Sequence, residues 1–164
     1  MKRWLAGLLV LVIISAAGGL WFYSAATNLA VDQVTPDVYM LSGLGGNVAV
    51  LKTEAGAVVV DTMTLNLQGA AIAAKAESLT GQPVALLVNT HFHIDHARGN
   101  PAFEPGTRVL ATAETRAHLQ RTEAERFSGP AAALLPVAIS GKQQTIRLGG
   151  KTIPLRNRQF FFNH

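Results

Sequence analysis

The segment Asn89-Thr90-His91-Phe92-His93-Ile94-Asp95-His96-Ala97-Arg98-Gly99-Asn100 holds three of the chain's five histidines, with an aspartate, inside six residues as H-x-H-x-D-H. Imidazole nitrogen and carboxylate oxygen are the borderline ligands that Zn²⁺ and related transition metals prefer. A spacing of two in extended backbone turns His91 and His93 to the same side, where both can reach one ion. Asp95 and His96, immediately after, are placed to face a second ion beside the first. A solvated, histidine-rich turn is the competing reading, and the metal-ligand spacing argues against it. The expected cofactor is zinc, one or two ions, with other divalent transition metals also compatible. The chain has no cysteine, so no ligand can be a thiolate and no disulfide supports the fold.

The elements that must hold this segment follow from hydrophobic patterning. Val84 to Val88 is a continuous apolar run, read as a strand buried on both faces that delivers the motif. Upstream, Val48-Ala49-Val50-Leu51 and Ala57 to Val60 read as strands joined by a turn at Thr53-Glu54-Ala55-Gly56. The alanine-rich stretch Gln68 to Thr80 favours a helix with Ile72, Ala76 and Leu79 on one face, stopped by Gly81 and Pro83. Ala113 to Phe127 reads as a second helix, with Thr112 as its cap and Gly129-Pro130 as its end. His118 falls within that helix, apart from the motif, and reads as an ordinary boundary histidine. Ala131 to Ile139 has no clear period. Gln144 to Leu148 and Lys151 to Leu155, around Gly149-Gly150, read as a hairpin. Gly43-Leu44-Gly45-Gly46 lacks the spacing of a phosphate-binding loop and reads as a connection between strands.

The first thirty residues stand apart from this frame. Lys2 and Arg3 precede an uncharged stretch from Trp4 to Val31 whose apolar part is near the roughly twenty residues that span a bilayer. Trp21 and Tyr23 lie where an aromatic belt would sit, which favours an anchor. Ser24-Ala25-Ala26 offers the small residues that a signal peptidase reads, which favours cleavage. Residues 1–30 are therefore a signal peptide or a membrane anchor, and the domain is exported in either case: membrane-anchored facing the periplasm or exterior, or secreted or periplasmic if the leader is removed. At 164 residues with 49% hydrophobic content, the chain is long enough for one domain with a core and too short to expect two. The net charge of +4 includes the two leader cations and gives no argument for nucleic acid. Lys142, Arg147, Lys151, Arg156 and Arg158 form a basic stretch that reads as a solvated face.

The motif resembles that of the metallo-β-lactamase superfamily, and the likeness extends over about Val34 to Leu155. Val38 to Leu41, Gly46 to Leu51 and Ala57 to Thr62 look like that family's opening antiparallel strands. Gly99-Asn100-Pro101-Ala102-Phe103 and Arg108 to Thr112 follow in the family's order. The resemblance implies an α/β fold, the N-terminal portion of an αββα sandwich, preceded here by the apolar leader helix. Its relatives cleave β-lactams, glutathione thioesters, lactones, phosphodiesters and sulfate esters, so the motif specifies the superfamily and not the small-molecule substrate.

By this resemblance His91 and His93 hold a first metal and Asp95 and His96 a second, with Asp61 supporting the site from behind. A turn aspartate at a strand end is the competing reading for Asp61. The metal lowers the pKa of its water from about 9 to about 7, and the resulting metal-bound hydroxide attacks an ester, thioester or lactam. Asp95 is the catalytic residue that orients this nucleophile and carries its proton. The chain departs from the family after Arg156. The later G-x-x-H-T-x-G-D-like segment is absent, residues 157–164 form an atypical tail, and His164 stands near the expected distance of a last ligand in an unrelated context. Residues 31–156 are thus expected to form a partial domain, apparently truncated. The alternative to a hydrolase is a catalytically inactive fragment or a membrane-anchored binding module.

Overall fold

The computed structural model describes residues 2–139, 141 and 143–156, with only the backbone described at Lys2 and Arg3. The tail 157–164, with His164 and Arg158, and Lys142 lie outside the described residues. Helix α1, Lys2–Thr27, is followed by four strands in an antiparallel meander: β1 Ala30–Thr35, β2 Val38–Gly43, β3 Gly46–Leu51 and β4 Ala57–Val60. Helix α2, Asn66–Thr80, then crosses over to β5, Val84–Val88, which lies parallel to β4. The motif segment contains a short helix α3, Ile94–Ala97. Parallel strands β6, Arg108–Ala111, and β7, Val137–Ala138, complete a seven-stranded sheet in sequential order, with helix α4, Ala113–Thr122, between them. A separate hairpin joins β8, Gln143–Leu148, to β9, Lys151–Arg156.

Both faces of the sheet are covered where it is parallel. One face packs Leu41, Val48, Val50, Val59, Leu87 and Val109 against Ile72 and Ala76 of α2. On the other, Val58, Leu86 and Leu110 pack against Ile146, Leu148, Ile153 and Leu155 of the hairpin. The covering layer that the alternating strands require thus comes from the hairpin itself. Helix α2 begins where Gln68 Oε1 accepts from the backbone N–H groups of Thr64 (3.2 Å) and Leu65 (3.0 Å), which a helix start otherwise leaves unpaired. It ends at Gly81, whose φ of 70° suits glycine and whose N–H reaches the Glu77 carbonyl.

Three elements differ from expectation. Strand β1 is fully exposed along its length and carries Asp32 and Gln33, so no apolar alternation announces it. Helix α4 stops at Thr122 and not Phe127: the Glu123 backbone leaves helical geometry at φ −124°, and its side chain is held by Arg98 and Arg126. Gly129-Pro130 begins a 3-10 turn, Gly129–Leu134, that leads into β7. Helix α1 is long and apolar enough to cross a membrane over Trp4–Thr27.

Candidate metal centre

The carboxyl ends of β4 and β5 are adjacent, since Val60 pairs with Val88, and the residues that follow each strand meet there. Asp61 follows β4 with a φ of 68°, a left-handed conformation that costs a non-glycine residue energy and must be held by its surroundings. Three hydrogen bonds hold it. The Thr90 N–H donates to Oδ1 at 2.8 Å, the Thr90 hydroxyl donates to Oδ2 at 2.7 Å, and His96 Nδ1 donates to Oδ2 at 2.8 Å. With Asp61 only 5% exposed, these donors replace the water that the carboxylate gives up.

The same contacts fix the imidazoles. With its proton given to Asp61, Thr90 Oγ1 accepts from His91 Nδ1 at 3.0 Å. His91 and His96 then both carry their protons on Nδ1 and present a lone pair at Nε2. His91 Nε2 lies 3.0 Å from His93 Nδ1, and His96 Nε2 lies 3.3 Å from Asp95 Oδ2. Two nitrogens bound tetrahedrally at 2.0–2.1 Å to one zinc stand about 3.3 Å apart, so each pair has the spacing of one edge of a coordination shell. The three imidazoles share one pocket of space, with the ring centre of His91 4.6 Å from His93 and 3.9 Å from His96. Among the described residues no group of three or more such side chains is disposed to hold an ion; the donors stand as two pairs. Burial, foremost, and then the neighbouring His96 and His93 pull the His91 pKa below its ordinary value, against the opposing pull of Asp61 and Asp95.

Behind the ligand pairs lies a buried polar network. The His96 carbonyl accepts from the Thr62 N–H (2.9 Å) and Asn89 Nδ2 (2.9 Å), and the Thr62 hydroxyl stands 3.2 Å from it. Asn100 Oδ1 accepts from the Thr62 hydroxyl at 2.9 Å. Gly99 lies directly against the Thr62 carbonyl, and Gly69 of α2 against the Gly99 carbonyl, so neither position has room for a Cβ. Arg98, just after α3, grips Glu123 with both Nε (3.1 Å) and Nη2 (2.7 Å). The sequence reading places His91, His93, Asp95, His96 and Asp61 together, as the fold does. It assigns no role to Thr90, Asn89 or Asn100, although all three stand in the quoted segment. A threonine directly before the first histidine was the available signal. His118, expected apart from the motif, stacks on Phe92 with ring centres 4.0 Å apart.

Comparison with known proteins agrees with this fold. A metallo-beta-lactamase from Pontibacter korlensis superposes with a TM-score of 0.60 at 21% identity, covering 77% of this chain and 59% of that one. The stereoselective inverting sec-alkylsulfatase Pisa1 from Pseudomonas sp. gives 0.57 at 16% identity, with 78% and 27% covered. The metallo-beta-lactamase FIM-1 from Pseudomonas aeruginosa, in a mono-zinc form, gives 0.55 at 18% identity, with 71% and 54% covered. The chain therefore spans less than two thirds of the length of these structures. No curated protein matches the chain. The family model described as the metallo-beta-lactamase superfamily matches residues 41–157, most of the chain including the whole H-x-H-x-D-H segment, and the chain belongs to that superfamily.

Proposed function

We propose that this chain carries the first part of the metal centre of an exported metal-dependent hydrolase, acting on a small-molecule ester, thioester or lactam. The observation that carries the reading is the pairing of donor atoms: His91 Nε2 with His93 Nδ1, and His96 Nε2 with Asp95 Oδ2, each side backed by Asp61 or Thr90. His91 and His93 would hold one zinc, and Asp95 and His96 a second. A bound divalent ion supplies positive charge that acidifies water and stabilises a developing oxyanion. The chain's own residues do the rest. Asp61 fixes the tautomer and ring plane of His96, Thr90 does so for His91, and the half-exposed Asp95 carboxylate, beside His96 Nε2, would orient a nucleophile and accept its proton.

A second reading, an anchored binding module without turnover, is favoured by one observation: among the described residues the donors form pairs and not triplets. Zinc content of the purified chain, followed by hydrolysis of β-lactam and thioester substrates, separates the two. His93→Ala should remove most of the zinc while His118→Ala, stacked on Phe92 and facing no donor pair, should leave it. Equal zinc in both variants refutes the metal assignment. Zinc binding without turnover favours the module.

A further inference from the structure

The end of α1 is part of the domain. Residues from Trp4 to Ser24 are exposed, but Ala26 is fully buried and Leu29 joins the main core with Leu41, Met63 and Ile72. The Leu29 side chain fills the space beside Gly43, where an added Cβ would come within 2.8 Å of its Cδ2. The Thr27 hydroxyl donates to the Tyr23 carbonyl (2.8 Å) and the Asn28 N–H to the Ser24 carbonyl (2.9 Å), so Ser24-Ala25-Ala26 is helical. Only Asn28 and Leu29 separate the helix from β1. Cleavage after Ala26 would remove a buried residue and the turn that seats Leu29.

The edge from which α1 emerges is also the edge that bears the donor pairs. Ala30 pairs with Ser42, and Gly43 with Gly46, so the start of β1 and the turn between β2 and β3 lie together. Strand β4 runs toward that end, and β5 runs parallel to it into Thr90 and His91. An added Cβ at Gly45 would stand 3.7 Å from Thr64 Oγ1, in the loop that follows Asp61. With strands about 4.8 Å apart, four spacings put β5 roughly 19 Å from β1. Because Trp4 to Ser24 are exposed while α1 meets α2 and β2 of the domain, whatever surrounds that helix lies beside the same edge.

What surrounds it is set by its chemistry. The span Trp4–Thr27 is 24 residues with a mean hydropathy of 2.3, about 36 Å of helix against a hydrocarbon layer of about 30 Å. Trp4 and Trp21 stand near its two ends, 85% and 73% exposed, where the two interfaces of a bilayer would lie. Leu44, at the tip of the turn beside Leu29, is 57% exposed, an apolar side chain on the same edge.

We propose that α1 is retained as an uncleaved anchor, and that its rigid junction at Ala26–Leu29 holds the H-x-H-x-D-H edge of the sheet toward the bilayer surface. The absence of cysteine allows a test that needs neither metal nor turnover, so it fails or succeeds independently of the hydrolase reading. Leu44→Cys and Ala55→Cys place one fluorophore on the near edge or in the exposed turn at the far edge. The full-length chain is reconstituted in phosphatidylcholine vesicles containing a headgroup spin-labelled lipid. Its intact mass is read from membranes of the expressing cells. The expected result is a mass that includes the leader, with the Leu44→Cys probe quenched several-fold more strongly than the Ala55→Cys probe. A chain beginning at Thr27, or quenching that is equal at both sites or stronger at position 55, overturns the proposal.

Discussion

Asn89 and Asn100 clasp each other eleven positions apart, on either side of the metal-ligand motif. Asn100 Nδ2 donates to Asn89 Oδ1 at 2.8 Å, and Asn89 Nδ2 returns a bond to Asn100 Oδ1 at 3.1 Å. Both residues are buried, Asn100 completely. Asn100→Ala removes the donor to the buried Asn89 Oδ1 and leaves the Asn89 amide and the Thr62 hydroxyl with the His96 carbonyl as their remaining acceptor. We expect a loss of about 2–3 kcal/mol in urea unfolding followed by circular dichroism, together with weaker zinc binding. Unchanged stability would mean that the motif is held by its backbone contacts alone.

Asp61→Asn keeps the size of the side chain but replaces an acceptor oxygen with a donor, beside Thr90 or His96 according to the amide's orientation. His96 then loses either its tautomer or its ring plane. Zinc affinity measured by competition with a chromophoric chelator should fall about 10- to 100-fold. Affinity equal to that of the parent chain would return Asp61 to the status of a strand-end turn residue.

Gly99 has an ordinary φ of −78°, so its requirement is space and not conformation. Gly99→Ala would drive a methyl group into the Thr62 carbonyl, and we expect about 2–4 kcal/mol of destabilisation. Gly106→Ala, at an exposed position with nothing within 4 Å, should stay within about 0.5 kcal/mol of the parent. Similar losses at both sites would show that the Gly99 contact yields.

Glu123 couples the end of α4 to the residue after α3. Its hydrogen bond to Arg98, foremost, and then its bonds to Arg126 hold its carboxyl below the ordinary carboxylate value of 4.5, against the opposing effect of burial. A depressed folded-state pKa contributes stability that is complete above the unfolded value and disappears as pH falls through the folded one. Stability should therefore decline below about pH 4.5, and Glu123→Gln should flatten that acid limb while costing about 1–3 kcal/mol at neutral pH. An acid limb that is identical in the variant would assign the decline to other carboxylates.

The parts of the fold legible in the sequence are those where burial imposes a period. Strands β3 to β5 and helix α2 are written in Val48, Val50, Val58, Leu86 and Ile72, because each faces a packed layer. Strand β1 escapes this reading because its partner is a backbone and not a core: Asp32 and Gln33 sit opposite Met40 and Tyr39 in an edge ladder. The ligand-type residues at the site are equally legible, since H-x-H-x-D-H is a local pattern. Their supports are not, because Thr62 meets Asn100 across 38 positions and Asp61 meets Thr90 across 29. No spacing rule reaches that far; only the parallel pairing of β4 with β5 brings them together.

Both tryptophans of the chain lie on α1. Indole emission therefore reports the surroundings of the leader helix and is nearly blind to the domain that follows it. Unfolding the sheet would leave the spectrum almost still, while moving the helix from detergent or lipid into water would shift it to the red. The protein thus comes with a built-in optical gauge of its own insertion, and a separate signal, such as far-ultraviolet dichroism, is needed to follow its folding.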